Sequence, residues 1–479
     1  MMNGRRIGVL FLLVAALGAY LWLVERPAAE KEGKKEKLVA AQKDAVTGIT
    51  LTYPDREIVL ARGEKGWRLV KPVDAPADEA AVTSVLNVLV DGEVQKSLDD
   101  VPTDLAPFGL DKPVVTAKVA LASGEAPPVA VGKNTTIGGK AYVRRGDAPK
   151  LLLVASSIPA SLTKQVKDLR DKQVVAFQDD DVQKFEIAPA EGDTVTVVRK
   201  DKDAWVVNPG DHPADPTEIR SYLSSLRSTR ALDFPDDAPA DLGKYGLDAP
   251  RLTIRAFGGQ NGTPLATLLV GSEGKQGTQT QVYAKTAAGP TIYALGDWAV
   301  RGLTKTAGQL RDKTVLGFDP ALVGKVTLTR KDGGSVTFTR SGKGTWQVEG
   351  AADGKSKESM ITRFLDDLRD LRGSDVAAEP ATDVAPFGLA GPDLAIAVSG
   401  KDGQAIGTVL AAKADAKYFA MREGGPTVFE VRDYMYTRLD KRASDFLGTD
   451  DAAPPGATGA AMPPSEDGAH EDADDTEDE

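Results

Sequence analysis

The sequence predicts an α+β fold, with three tandem repeats of about 140 residues after one amino-terminal transmembrane helix. Each repeat is predicted to be mainly antiparallel sheet with two helices. Two landmarks recur along the chain and predict the repeats. One is a tryptophan, and the three copies lie 138 and 141 residues apart: Trp67, Trp205 and Trp346. The other is an aromatic-Gly-Leu motif, which begins at Phe108, Tyr245 and Phe387. Independent landmarks that keep one spacing indicate copies of a single domain.

The transmembrane helix is predicted over residues 7–24, after a short cytoplasmic end at residues 1–6. Its 18 residues are apolar and uncharged, which is just enough for a helix to cross a bilayer. Arg5 and Arg6 precede it, as is common at a cytoplasmic membrane boundary. A cleaved signal peptide is the alternative, but the apolar run continues past the small residues at which cleavage would occur. We therefore expect an uncleaved, single-pass signal anchor in the bacterial inner membrane.

Residues 25–43 are rich in Lys and Glu and are predicted to form a charged stalk. The stalk holds more Lys and Arg than the segment before the helix, and a count of positive charges alone would keep the body in the cytoplasm. A helix close to the amino terminus followed by a large body is, however, the usual form of a signal anchor. We therefore expect the body to be extracytoplasmic, in the periplasm.

Charge separates the body of the protein from its tail. Residues 450–479 hold 11 Asp and Glu and no Lys or Arg, so they are predicted to be a disordered acidic tail. The remainder has 59 acidic and 59 basic residues, and this balance argues against nucleic acid as a partner. The absence of Cys excludes disulfides and thiolate metal sites.

Three repeat domains fill the body, at residues 44–180, 181–320 and 321–449. Each opens with alternating apolar and polar residues, interrupted by Gly and Asp, which predicts antiparallel hairpins. A helix follows in each repeat, because apolar residues recur at i, i+3, i+4 and i+7, and Asp215 is placed to cap the second of these helices. The apolar positions are Val82, Val85, Leu86 and Leu89; Ile219, Tyr222, Leu223 and Leu226; and Ile361, Phe364, Leu365 and Leu368.

The aromatic-Gly-Leu motif reads LAPFGLDKP, LGKYGLDAP and VAPFGLAGP in the three repeats. Glycine permits a backbone conformation that other residues avoid, and the proline three residues after the leucine favours an extended chain. We interpret the motif as a helix-to-strand corner whose aromatic and leucine side chains enter the core. Further strands follow, and a closing helix is predicted to end near LRDK, which occurs at Leu169 and again at Leu310.

Taken together, the anchor, the tryptophan strand, the helix and the corner resemble a bacterial family known only as a domain of unknown function. The resemblance covers residues 44–449 and is weaker in the third repeat, where Ala390-Gly391 replaces Asp-Lys and RASDFL replaces LRDK. Members of that family are often encoded beside gliding-motility-type ABC transporter components. The resemblance therefore implies an envelope or transporter-accessory role, and it supplies no catalytic residues.

Residues that could carry chemistry are few. His212 and His470 are the only histidines, which leaves little material for a zinc site or a Ser-His-Asp triad; His212 is predicted to be an exposed loop residue. The carboxylates of residues 179–181 (Asp-Asp-Asp) are predicted to lie in a solvated linker. The three repeated tryptophans could stack on sugars, but their place in alternating strands favours the core. We predict no catalytic, cofactor-binding or metal-binding residues.

These observations favour a non-enzymatic, membrane-anchored scaffold or binding subunit of the bacterial envelope, accessory to an ABC transporter. Its expected partners are the membrane, through the anchor, and an envelope protein such as a transporter subunit. One alternative is a carbohydrate- or peptidoglycan-binding module that uses the repeated aromatic residues. A second alternative is a carboxylate-dependent hydrolase, which would need two close carboxylates with shifted pKa values in one cleft.

Overall fold

A computed structural model describes residues 36–98, 103–259, 262–342, 344–351 and 355–448. These residues divide into two compact units. The first comprises the described residues up to Arg199 together with Ile219–Lys305, and the second comprises Lys200–Glu218 and the described residues from Thr306 onward. The predicted anchor at residues 7–24 and the acidic tail at 450–479 lie outside the described residues. In the described part of the chain, no helix is both long and apolar enough to cross a membrane.

The first sheet opens with three strands of alternating burial that end at the tryptophan strand, as predicted. Its order is β4-β3-β2-β1-β6-β8-β9-β10-β5, with β7 paired to β6, and all pairs are antiparallel. Its strands are β1 (Val46–Thr52), β2 (Glu57–Gly63), β3 (Gly66–Lys71), β4 (Ala75–Pro76), β5 (Lys96–Leu98), β6 (Val115–Leu121), β7 (Gly124–Glu125), β8 (Val129–Asn134), β9 (Lys140–Arg145) and β10 (Leu151–Ala155). The helices of this repeat are α1 (Glu79–Asp91), α2 (Ser157–Leu162) and α3 (Val166–Leu169).

The second sheet follows the same chain order. Its strands are β11 (Val182–Pro189), β12 (Val195–Arg199), β13 (Trp205–Asn208), β14 (His212–Pro213), β15 (Asp233–Asp236), β16 (Leu252–Gly258), β17 (Pro264–Gln276), β18 (Gln279–Thr286) and β19 (Ile292–Gly296). In the first unit the order is β12-β11-β16-β17-β18-β19-β15, and in the second unit β13 and β14 pair with each other. The helices are α4 (Pro216–Arg227), α5 (Asp297–Leu303) and α6 (Ala307–Leu310).

The third sheet lies within the second unit and runs β22-β21-β20-β24-β25-β26-β27-β23. Its strands are β20 (Val323–Arg330), β21 (Ser335–Arg340), β22 (Trp346–Val348), β23 (Asp375–Ala378), β24 (Leu394–Gly400), β25 (Ala405–Ala414), β26 (Lys417–Arg422) and β27 (Val428–Val431). The helices are α7 (Glu358–Arg369) and α8 (Asp433–Leu439), followed by a 3₁₀ turn at Ala443–Phe446. The prediction of three repeats, mainly antiparallel sheet, is therefore confirmed.

The long helix of each repeat, α1, α4 or α7, packs through the apolar stripe that the sequence predicts. All twelve predicted apolar positions are buried. The predicted cap of α4 is also present, because Asp215 accepts a hydrogen bond from the Thr217 amide at 2.8 Å. In the first repeat Asp78 accepts from the Ala81 amide at 2.9 Å. Capping carboxylates of this kind satisfy amides that the helix itself cannot pair.

The corner interpretation of the aromatic-Gly-Leu motif is confirmed in part. The turn before a strand is present, but a short strand (β5, β15 or β23) lies between each long helix and the corner, and Phe108 and Phe387 are only half-buried. A 3₁₀ turn in each repeat ends on a glycine in the left-handed region, with φ of 66° at Gly109, 63° at Gly246 and 71° at Gly388. The motif's aromatic ring then meets a second ring at 4.9 to 5.1 Å between centroids. The three ring pairs are Phe108–Tyr142, Tyr245–Tyr283 and Phe387–Phe419. In the second and third repeats these rings belong to a small apolar cluster of their own.

The residues just before the first sheet belong to its core. Leu38 and Val39 are almost fully buried and join the apolar cluster beneath α1, and the Leu38 amide donates to the Gly92 carbonyl at 2.9 Å. Part of the segment that the sequence analysis assigns to a charged stalk, residues 25–43, is thus packed against the first repeat. The short apolar run at residues 38–41 stands between charged residues, so a reading based on charge misses this packing.

Candidate functional site

The closing helix ends at the leucine of the LRDK motif in the first and second repeats, as predicted. In the first repeat the helical segment is divided in two, because α2 ends at Leu162 and α3 begins after a capping box formed by Gln165 and Asp168. In the second repeat, Thr306 and Gln309 form the corresponding box before α6. Only the leucine of LRDK is helical, and the residues after it run along the next repeat. We call these two junctions the first seam and the second seam.

The first seam is closed around Arg170, whose side chain is 8% exposed. The Arg170 guanidinium lies 2.7 Å from an Asp237 carboxylate oxygen and donates to the Thr291 hydroxyl at 3.2 Å. It also lies over the ring of Phe234, 4.0 Å from the centroid. A buried cation with a carboxylate, a hydroxyl and an aromatic face around it is well satisfied, so the first seam is a structural clamp.

The second seam repeats the clamp with its own residues. Arg311, 9% exposed, pairs through two nitrogens with Glu379, and the second nitrogen lies 3.2 Å from its oxygen. The Thr427 hydroxyl donates to the same carboxylate at 2.6 Å. The backbone is also paired across this seam, because the Gly373 amide donates to the Lys313 carbonyl at 2.9 Å. Arg311, Glu379 and Thr427 correspond to Arg170, Asp237 and Thr291 of the first seam.

The residues around this shared clamp differ between the two seams. Val376 stands where the first seam has Phe234, twelve residues before the corner glycine in both repeats, so in the described part of the chain no ring at this position covers Arg311. His212 stands where the first repeat has Ala75, since each pairs with the residue two after its tryptophan. The His212 Nε2 atom lies 3.5 Å from a Glu379 oxygen.

Two further differences lie at the rim of the second seam. In the aligned segments YAKTAAGPT and FAMREGGPT, Arg422 and Glu423 replace Thr286 and Ala287. Both are exposed, and among the described residues neither has an ion-pair partner; the Arg422 guanidinium donates only to the Ile406 carbonyl, at 3.3 Å. The second seam therefore carries two free charges of opposite sign at an open edge.

Together these residues line a cleft of about 590 Å³ within the second unit. We call it the seam cleft, and it is lined by His212, Arg311, Glu379, Arg422, Glu423 and Thr427, among others. A volume in the range of small-ligand pockets, with convergent charged groups, is the form of a binding site.

The electrostatics of the seam cleft suit binding more than proton donation. The hydrogen bond from Arg311, acting against desolvation and together with Thr427, lowers the pKa of Glu379 to about 2. At neutral pH this carboxylate is therefore charged. Each carboxyl pKa shift resolved among the described residues is downward, at Asp215, Asp233, Asp332, Asp370 and Glu379. A general acid would need the opposite shift.

The other residues that the sequence singles out are placed differently. His212 lies in strand β14 and lines the seam cleft, with its side chain 26% exposed, so its prediction as an exposed loop residue is wrong. Residues 179–181 form a 3₁₀ turn, and the Arg227 Nε atom lies 3.2 Å from an Asp179 oxygen. The first aspartate of this run therefore forms an ion pair with Arg227. His470 lies outside the described residues.

The three repeated tryptophans are core residues, as the alternating strands predict. Trp67, Trp205 and Trp346 are 3%, 6% and 4% exposed, so none of them offers a face to a sugar. Sequence reasoning missed Trp298, in the first turn of α5, which is 73% exposed. Its counterpart in the third repeat is Tyr434, whose ring lies beneath the Arg438 guanidinium at 5.3 Å.

The fold and the seams define a tandem-repeat α+β protein whose copies are joined by arginine–carboxylate clamps. The chain belongs to the family described as "Domain of unknown function (DUF4340)", which matches it over residues 67–235, 205–390 and 346–452. Each match begins at one of the repeated tryptophans, and the first two run across a seam.

Comparison with curated proteins finds no match. Among solved structures, a DNA polymerase sliding clamp from Pseudomonas aeruginosa, crystallised with a ligand, aligns at 9% identity with a TM-score of 0.14. The alignment covers 83% of this chain and 93% of the clamp. A TM-score this low carries no argument about the fold or the function of this chain.

Proposed function

We propose that this protein is a non-enzymatic, membrane-anchored binding or scaffolding subunit of the bacterial envelope, accessory to an ABC transporter. The observation that carries the proposal is the seam cleft, which combines paired and unpaired charges with a carboxylate that stays ionised at neutral pH. Such a cleft suits recognition of a charged partner group. The family resemblance adds the transporter context, since related genes often lie beside transporter components.

Crosslinking in intact membranes followed by purification of the tagged full-length protein tests this proposal. Recovery of transporter subunits in a fixed ratio to the tagged chain would support it. A variant with Arg422→Thr and Glu423→Ala gives the second seam the residues of the first, and we expect it to recover less partner if the cleft is the contact. Recovery of no envelope protein with the wild-type chain would contradict the proposal.

A second candidate function, a carbohydrate- or peptidoglycan-binding module, is favoured by one observation, the exposed indole of Trp298. Exposed aromatic rings stack on the apolar faces of sugars, and Gly302 stands where Arg438 covers Tyr434 in the third repeat. Titration with soluble wall fragments should quench tryptophan fluorescence in the wild type and not in Trp298→Ala. Equal quenching in the variant would exclude this residue as the stacking platform.

A further inference from the structure

We propose that the seam cleft binds a small zwitterionic ligand of the dipeptide class through its ammonium and carboxylate groups. This inference rests on the proposed function, because it names the chemistry of the partner group that the binding subunit recognises. The two seams provide the argument, since one clamp occurs twice, and charged groups line the cleft at the second copy where aliphatic and small residues line most of the groove at the first.

The clamp of the first seam is complete without the ionisable residues that surround the clamp of the second seam. Arg170 is held by Asp237 and Thr291 and covered by Phe234, with Ala75, Thr286 and Ala287 at the positions of His212, Arg422 and Glu423. The second seam keeps the salt bridge and the hydroxyl, exchanges the ring for Val376, and places ionisable groups at three positions that are uncharged in the first. Stability of the junction therefore does not account for His212, Arg422 or Glu423.

The groups left over in the cleft are complementary to a zwitterion. Arg311 and Glu379 pair with one another, so they are not the groups left for a ligand. Among the described residues, Arg422 is a cation at the rim with only a carbonyl partner, and Glu423 is an anion beside it. The Arg422 guanidinium would donate hydrogen bonds to a ligand carboxylate, and the Glu423 carboxylate would accept them from a ligand ammonium. A ligand with one charge alone would pair with only one of the two rim groups.

Isothermal titration of the full-length protein with alanylalanine tests the inference. Two analogues each remove one charge: the N-acetyl dipeptide lacks the ammonium, and the dipeptide amide lacks the carboxylate. We expect saturable binding of one alanylalanine per chain and affinities at least about tenfold lower for each analogue. No binding of alanylalanine up to millimolar concentration, or equal affinity for either analogue, would overturn the proposal.

Two double variants locate the site. Arg422→Thr with Glu423→Ala gives the rim the residues of the first seam, and we expect it to lower alanylalanine affinity at least about tenfold. Arg369→Thr with Asp370→Ala removes an adjacent arginine–acid pair of the same unit that does not line the cleft, and it should leave the affinity unchanged. Since all four residues are exposed or half-buried, both variants are expected to fold, which far-ultraviolet circular dichroism would check. Undiminished binding by the rim variant would overturn the assignment to this cleft.

The crosslinking and titration results separate the two proposals. Recovery of a transporter partner without alanylalanine binding would overturn the ligand inference and leave the proposed function standing. Binding of alanylalanine without any recovered partner would support the ligand class and count against the accessory role.

Discussion

The same arginine–carboxylate clamp occurs in both seams, but the residues around the arginine differ. In the first, the Phe234 ring covers the Arg170 guanidinium at 4.0 Å, and the groove of about 530 Å³ beside it is lined largely by aliphatic and small residues such as Val174, Leu265 and Ala287. In the second, Arg311 keeps its carboxylate and hydroxyl partners, but the space around it is charged and contains His212. We infer that the residues shared by both seams join the repeats, whereas the residues that differ between them decide whether the junction offers a charged binding surface.

The largest effect is expected from removing either clamp arginine. Arg311→Met leaves Glu379 and Thr427 without their cation, and we expect it to destabilise the second seam by about 3 kcal/mol. Arg170→Met should cost slightly more, because the stacking on Phe234 is lost as well. Hydrogen exchange of peptides covering residues 307–319 and 166–178 would measure the free energy of opening at each seam.

Arg422→Met is the control for these variants, since Arg422 is an exposed arginine without an ion-pair partner among the described residues. The substitution should change the free energy of opening at the second seam by less than about 0.5 kcal/mol. If Arg311→Met changed the exchange of the second seam no more than this control, Arg311 would not be a clamp.

Exchanging the covering residue is expected to have the next largest effect. Phe234→Val should destabilise the first seam by about 1.5 kcal/mol, because it removes both apolar contact and the aromatic face over Arg170. The reciprocal Val376→Phe should place a ring over Arg311, slow hydrogen exchange in the second seam and lower the affinity of the seam cleft for alanylalanine. Equal exchange in Phe234→Val and the wild type would show that the ring has no part in closing the first seam.

Acid should weaken the second seam through Glu379. Arg311 lowers the pKa of Glu379 from 4.5 to about 2, so the unfolded chain takes up this proton more readily than the folded chain. The stabilising contribution is therefore complete above pH 4.5 and is lost as the pH falls toward 2. Glu379→Gln should cost about 2 kcal/mol at pH 7 and should flatten this part of the stability profile.

Urea denaturation of the second unit between pH 2 and pH 7 would measure that profile. Glu423→Gln removes an exposed acid of the same cleft, and the acid-induced loss should persist in it. A Glu379→Gln variant that lost stability with acid as steeply as the wild type would assign the effect to other carboxylates.

Much of the repeat could be predicted from local pattern. The helical stripes, the tryptophan strands and the corners each depend on residues within one element, so spacing and alternation were enough to find them. The buried Leu38 and Val39 were missed because they stand among lysines, and burial there depends on contact with Gly92 and Leu89.

The seams could not be predicted in the same way, because Arg311 and Glu379 are 68 residues apart. A signal was nevertheless present, since an acid stands nine residues before the corner glycine in both repeats, at Asp237 and Glu379. In the third repeat RASDFL replaces LRDK. Leu447 occupies the arginine's position, pairing with Ser356 as Arg311 pairs with Ala214, and it is 39% exposed.

The smallest effect on stability is expected from His212→Ala, which places in the second seam the residue that the first has at Ala75. The His212–Glu379 separation of 3.5 Å and the partial exposure of both side chains limit the contribution of this pair to less than about 0.5 kcal/mol. If His212 serves the ligand, the same variant should weaken alanylalanine binding severalfold while urea denaturation stays unchanged. A variant that lost stability and kept its affinity for alanylalanine would instead show that His212 stabilises the second seam and does not contact the ligand.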